Sequence, residues 1–455
     1  MIDEYTAWFE KNQETLLGEY FTFLKFPSVS TDPAHKKDLL ACKDWLLTFM
    51  ESCGLETQVW ETSGHPSLFG KYEGGGETLL FYGHYDVQPP DPLDEWKSPP
   101  FEPEIRGNDV YARGAHDNKG QGFYTLAAIR AFLETAKNKN VTIKVLLEGE
   151  EEIGSSGLEG ILDQKKEALK ADHVFIVDLG LYKEGVPAVT LGTRGVLNLN
   201  VTVTNSSADL HSGIFGGVVL NPARALAKVL AKMWDDDGKV AIPNFYDGVQ
   251  TLSSEEHALF DWELDPKDDA SASNVHLFQK EGDYSLLESN WIRPTLEING
   301  CKSGYTGEGF KTIIPAKAMV KLSCRLVPNQ DPAHMMSLLE TFLKTNLPEG
   351  LELKLEKGHG MPAMRISPYS KTVDRAIKAY EAVFQTKCRR QLCGGTIPIA
   401  SLLANACGGD LVMIGVGLAS DQMHAPNERF GLDRLKQGFL SIAALLTLSA
   451  AGEDK

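Results

Sequence analysis

The sequence predicts an α/β protein, a mixed open sheet with flanking helices, interrupted by an inserted α+β domain. Three observations carry this. Short apolar runs alternate with helix-spaced segments at both ends of the chain, which is the pattern of a sheet covered by helices. The middle of the chain instead carries strands whose apolar residues alternate with polar ones, as in a sheet with one face in water. And 455 residues exceed the usual size of one domain.

Taken in order, Trp8, Phe9, Leu16, Leu17 and Tyr20 fall at helical spacing in the first forty residues, and Asp38–Met50 reads as a second amphipathic helix. Thr78–Gly83 is an apolar run closed by glycine, hence a buried strand. Gly120–Thr135 suits a helix, with Phe123, Leu126 and Ile129 on one face, and Val141–Leu147 a strand. Gln164–Lys170 ends a helix ahead of the strand Val174–Val177. After this, Val196–Thr204 alternates, Pro222–Trp234 is helical, and Gly238–Pro294 is loop-rich. Ala318–Leu326 alternates, Ala333–Thr345 is helical, and Leu351–Glu356 alternates. The α/β pattern then returns with the helix Ser370–Phe384, the strand Leu411–Gly417 and the closing helix Asp433–Leu448. These changes divide the chain into a first part of the main domain over 1–192, an insert over 193–366, and the rest of the main domain over 367–455.

Composition removes several function classes. Lys and Arg number 45 against 62 Asp and Glu, a net charge of −17, which disfavours a nucleic-acid backbone or an anionic membrane as partner. The seven cysteines are scattered, with no CxxC pair, so neither a disulfide framework nor a thiolate zinc knuckle is expected. The acidic start lacks the basic and apolar regions of a signal peptide, and the apolar stretch Phe439–Ala450 is too short to span a bilayer. A reducing, cytoplasmic home is the expectation.

The informative residues stand where the strands end, the usual ligand position in open α/β sheets. His84-Tyr-Asp86 follows the first strand; His116-Asp-Asn118 precedes a helix. Glu148-Gly-Glu-Glu-Glu152 follows the second strand, Asp178 ends the third, and His424 lies far away in Ser420–Glu428. Carboxylates gathered at buried strand ends repel one another unless protons or cations neutralise them. Two histidines among them make a nitrogen and oxygen ligand set suited to Zn²⁺ or Mn²⁺. The set is large enough for two ions sharing one carboxylate, with a glutamate to spare as base.

These motifs resemble those of the M20 family of metallopeptidases, within it the branch of cytosolic non-specific dipeptidase and carnosinase. The elements are Gly83-His-Tyr-Asp-Val87, Arg113–Gly120, Glu148–Glu152 with Gly154-Ser155, and Asp209-Leu-His-Ser-Gly213. Ile314-Pro315, Arg325-Leu-Val-Pro328 and Gly394-Gly-Thr-Ile-Pro398 follow in the same order. The resemblance implies a di-zinc aminopeptidase-like catalytic domain, the insert being a lid and dimerisation domain. It implies two divalent ions per chain, one on His84 and Asp178, the other on Glu152 and His424, with Asp117 bridging them and a cis peptide after it. Asp86 would orient His84, and Glu151 would be the general base. His211 would reach the active site of the partner subunit in a homodimer and stabilise the oxyanion there. Arg325 would hold the carboxylate of a small peptide substrate, with Thr312, His359, Gly394, Gly395 and Thr396 as further substrate contacts.

The activity implied is hydrolysis of dipeptides with a free C-terminal carboxylate. One departure matters: relatives often carry a glutamate before the Gly-Gly pair to receive the substrate's amine, whereas this chain has Cys393. An N-acyl-amino-acid deacylase on the same scaffold is therefore the first alternative, and a non-catalytic peptide-binding module the second. Cys393 is not expected to act as a nucleophile, and Glu150 is read as structural or solvated.

Overall fold

The apolar runs form neighbouring strands of one sheet. The structure, a computed structural model, describes residues 2–260, 262, 275–358 and 360–452. Among these the main sheet has nine strands. Its order runs Glu56–Trp60, Ser67–Tyr72, Val141–Glu148, Glu77–His84, His173–Val177, Asp410–Ile414, Ala188–Thr193, Met364–Arg365, with Arg389–Cys393 also paired to Ala188–Thr193. The four strands from Val141–Glu148 to Asp410–Ile414 are mutually parallel, so their C-terminal ends lie along one edge. Both outer pairs at the first edge are antiparallel, making the sheet mixed, as expected.

Helices cover both faces because the central strands are buried throughout; Val141–Glu148 and His173–Val177 contain no exposed residue. Lys119–Thr135 is buried from Lys119 to Phe132 with one intermediate position, Arg130, since it is enclosed by Ile2–Leu24 and Leu432–Ala451. A helix buried on every side needs small and apolar residues all round, which Gly120, Gly122, Ala127, Ala128 and Ala131 supply. The predicted strand Leu411–Gly417 stops at Ile414. There the Gly415 N–H and C=O both bond the Tyr380 hydroxyl, at 2.8 Å each, instead of a neighbouring strand.

A second core gathers residues from Leu197 to Leu343. It lies under a four-stranded antiparallel sheet of order Thr295–Ser303, Lys317–Leu326, Gly195–Thr204, Glu352–Lys357. Lys317–Leu326 shows why one face was legible: alternate residues from Ala318 to Leu326 are buried. The helices Pro222–Leu230 and Pro332–Asn346 cover that face, each entered through a side-chain cap, Asn221 or Asp331, with proline next. Not all of the middle segment packs here: Phe260, Leu287, Trp291 and Ile292 belong to the main core. A two-stranded ribbon, Leu210–His211 with Ile313–Ile314, stands apart from both sheets. Among the described residues no helix is long and apolar enough to cross a membrane.

Candidate active site

The parallel strands deliver His84, the turn after Glu148, and Asp178 to one edge of the sheet, and the loop after Ile414 brings His424 to the same edge. Asp117 comes from the start of the helix Lys119–Thr135. Donor atoms of His84, Asp117 and Asp178 lie within 4.8 Å of one another, and so do those of Asp117, Glu152 and His424. Asp117 is common to both groups: one oxygen is 3.0 Å from His84 Nε2, the other 2.8 Å from His424 Nε2. The peptide Asp117–Asn118 is cis.

Each of these side chains is held from behind. Asp86 has two attachments: its carboxylate lies 3.3 Å from His84 Nδ1, and it accepts the backbone N–H groups of Glu151 and Glu152 at 3.2 and 3.1 Å. One carboxylate thereby fixes a histidine from one strand and the glutamate turn from the next. Asn118 donates to Asp178 at 2.5 Å and to the Val177 carbonyl at 2.9 Å. Gln88 donates to Glu152 Oε2 at 2.7 Å, while Glu152 Oε1 is buried with no hydrogen-bond partner among the described residues. His424 has a positive φ of 62°, a region that histidine tolerates better than most side chains.

Glu428 organises Asp117, the residue common to both groups, and was not foreseen. It is 0% exposed and accepts the N–H groups of Gly114, His116 and Asp117 at 2.9–3.0 Å. Its charge is met by Arg113 at 2.6 Å. His116, from the same run as Asp117, is not gathered with the other ligand-type groups; its ring stacks on Phe430 and faces Asp421 at 3.6 Å. Glycine is required opposite that ring, because a Cβ on Gly417 would lie 1.9 Å from His116 Nε2. Glu150 is buried and bonds the His65 and Leu158 N–H groups, so it serves the local backbone.

The electrostatics fit a cation site. Burial pushes the Asp178 and Glu152 carboxyls up, neighbouring Asp117 adding to the rise in each. At Asp117 burial acts in the same sense, but hydrogen bonds from His424 and His84 override it and hold the carboxyl low. The bonds to Asp117 and Glu152 push His424 up to about 10. Burial pushes Glu151 well above the usual carboxylate range; His84 opposes this, and Asp178, Glu152 and Asp117 reinforce it. Divalent ions bound there would relieve the same repulsion. Two imidazoles and three carboxylates, one of them with an unpartnered buried oxygen, form a donor set that suits such ions.

Four of the expected substrate residues, Arg325, Gly394, Gly395 and Thr396, form a second cluster. Arg325 Nη1 donates to Thr396 Oγ1 at 2.7 Å, and Thr396 in turn donates to the Arg194 carbonyl at 2.6 Å. Gly394 is a position of close approach, since a Cβ there would meet Asn290 Oδ1 at 2.2 Å. Gly395 N–H donates to Cys393 Sγ at 3.3 Å. Arg194 and Arg325 line a cavity of about 1330 Å³ that also touches Tyr182 and Leu418, each a few residues along the chain from Asp178 or His424. His211 and Thr312 are not in this cluster: both sit on the ribbon, exposed, with Ser212 N–H bonded to the Thr312 carbonyl at 3.0 Å. His359 lies outside the described residues.

The model of peptidase family M20/M25/M40 matches residues 80–448. The Cys-Gly metallodipeptidase DUG1 of Saccharomyces cerevisiae is 32% identical over 398 residues, 84% of this chain and 80% of the yeast protein. The human Beta-Ala-His dipeptidase is 31% identical over 365 residues, covering 77% of this chain and 71% of its own length. Among solved structures, the M20 family metallo-carboxypeptidase Sso-CP2 from Sulfolobus solfataricus superposes with a TM-score of 0.87 at 33% identity, over 96% of this chain and 99% of that one. Human carnosine dipeptidase 1 gives 0.85 at 26% identity, over 99% of each chain. With its glutamate turn, bridging aspartate and parallel strand ends in this arrangement, the chain belongs to peptidase family M20/M25/M40.

Proposed function

We propose that this protein is a metal-dependent dipeptidase that hydrolyses the peptide bond of dipeptides bearing a free C-terminal carboxylate. The observation that carries the reading is Glu151: a half-buried carboxylate held by its backbone to Asp86, beside two ligand groups that share Asp117 and belonging to neither. A structural metal site has no use for such a residue. The relatives named as dipeptidases support the same activity.

His84, Asp117 and Asp178 would hold one divalent ion, and Asp117, Glu152 and His424 the other, as Zn²⁺ or Mn²⁺. Bound there, such ions would supply acidification of a water and polarisation of the scissile carbonyl. Glu151 accepts the proton of the attacking water and passes it to the leaving amine, a role that requires a carboxyl raised towards the working pH. Arg325 holds the substrate's carboxylate through its guanidinium fork. Gly394, Gly395 and Thr396, beside Arg325, line the path of the substrate, and the motifs shared with the family assign Thr312 and His359 as further contacts. Residues 193–366 act as a lid and as the dimerisation domain of a homodimer, across which His211 of one protomer donates a hydrogen bond to the developing oxyanion in the other. Ile214, Val218 and Phe310, 67%, 80% and 103% exposed, flank that ribbon and favour burial against a second copy. Seven cysteines without a disulfide support a cytoplasmic setting.

Deacylation of N-acyl amino acids is the second reading, favoured by Cys393, which offers a neutral thiol next to Gly394 where a free amine would need an acid. The deciding experiment compares kcat/KM for one dipeptide with its amino terminus free and acetylated, using metal-reconstituted protein. Preference for the free form is expected; preference for the acetylated form would replace the dipeptidase reading by the deacylase one.

A further inference from the structure

Arg194 is a buried cation with no task in the hydrolysis proposed for Glu151 and the metal ligands. It is 6% exposed and directly follows the strand Ala188–Thr193. Its backbone and Nε hold the loop at Gly394–Thr396: N–H donates to the Gly395 carbonyl and Nε to the Gly394 carbonyl, both at 2.9 Å, while its own carbonyl accepts from Thr396 at 2.6 Å. The outer nitrogens are poorly used. Nη1 reaches the Arg293 carbonyl and Thr295 Oγ1 only at 3.4 and 3.5 Å, and Nη2 has no hydrogen bond among the described residues. Both Arg194 and Arg325 are tied to Thr396, one by its carbonyl and one by its guanidinium, and both line the same cavity.

Two guanidinium groups gathered on one loop, one of them buried, are costly without a counter-anion. Burial, followed by the charge of Arg325, brings Arg194 down to about 10. Among the described residues neither arginine forms an ion pair. Glu281, on the same cavity wall, is engaged by Arg293 at 2.6 and 2.9 Å. Glu297 is exposed and hydrogen-bonded to neither arginine. Cys393 supplies no charge, since burial pushes its thiol up. The described residues therefore leave the pairing anions to a ligand, Glu297 acting on Arg194 only from a distance.

We propose that Arg194 and Arg325 together form a dicationic pole that recognises a C-terminal residue with two carboxylates, its main-chain group and an acidic side chain. Arg194 is then a specificity-determining residue for dipeptides ending in glutamate or aspartate. This deepens the dipeptidase reading and rests on it for the orientation of the substrate. The test measures kcat and KM for Ala-Glu and its uncharged isostere Ala-Gln on metal-reconstituted wild type, Arg194→Gln and Arg194→Lys. Wild type should favour Ala-Glu by about tenfold or more, chiefly through KM, the scale of one charge-assisted pair. Arg194→Gln should bring the ratio near one, and Arg194→Lys should retain part of it. A role confined to holding the loop would slow both substrates alike and leave the ratio unchanged, which would overturn the proposal. Equal handling of the two substrates by wild type would overturn it without recourse to any variant. If wild type cleaved neither, the dipeptidase reading would fall, and calorimetric binding would judge the pole separately. Glutamate binding about tenfold more tightly than glutamine, with the difference lost in Arg194→Gln, would uphold the pole; equal binding would end it.

Discussion

The metal centre and the ribbon that carries His211 belong to one candidate site but are built in opposite ways. Side chains of His84, Asp117 and Glu152 are 0%, 8% and 3% exposed, and each is fixed by a buried partner. His211 is exposed, its Nδ1 accepting only the nearby Gly213 N–H at 3.0 Å, among apolar side chains left in solvent. One chain therefore gathers the candidate ion ligands by itself and leaves the proposed oxyanion donor, His211, exposed. If a second copy covers that ribbon, as proposed, dimerisation and catalysis should be separable by mutation, with the two regions failing differently.

The sharpest break should come at Glu428. Removing its carboxylate in Glu428→Ala leaves Arg113 buried without its counter-charge and three N–H groups without an acceptor, at a cost of about 3–5 kcal/mol. A large fall in the melting temperature, accompanied by metal loss, is expected. A melting temperature within a degree or two of wild type would mean that the bridging aspartate does not depend on this anchor.

At the other region, His211→Asn should lower kcat by about 10²–10³-fold, the usual effect of losing one oxyanion donor, while metal content and melting temperature stay at wild-type values. Mixed dimers of His211→Asn with Glu151→Gln chains should regain activity, because one of their two sites carries both intact residues. Mixed dimers without activity would remove the cross-subunit role.

A smaller effect is expected at Asp86→Asn, which weakens a support common to His84 and the glutamate turn. Changes to a residue that holds a metal ligand from behind weaken metal binding by about 10–100-fold, to be read by competition with a chelator. Unchanged affinity would leave Asp86 as a backbone cap alone.

How far the sequence was legible follows the same division. Metal-site residues could be read because each stands at the end of an apolar run or inside a compact polar motif, and the sheet brings those ends together. Glu428 could not, since its partners Gly114 and Asp117 are more than 300 positions away and its own surroundings are an ordinary loop. Arg194 was hidden for a similar reason, between strands of two different sheets with no periodicity to mark it. Several strands also escaped. Ser67–Tyr72 includes glycine and lysine but is buried or half-buried throughout, so neither alternation nor a pure apolar run signals it. Thr295–Ser303 is largely exposed and has too few apolar residues to show a face. Pro222–Trp234 was read as a helix, but the α-helix ends at Leu230, beyond which Trp234 pairs with Val240 in a bridge.

Whether Glu151 is the base is decided most sharply by Glu151→Gln, assayed for bound metal and dipeptide hydrolysis on the same preparation. About two ions per chain are expected, as in wild type, with turnover reduced by about 10²–10⁴-fold, the contribution of a positioned general base. Turnover close to wild type with metal retained would contradict that role. So would loss of the metal together with the activity, which would make Glu151 a ligand and leave the reaction without its base.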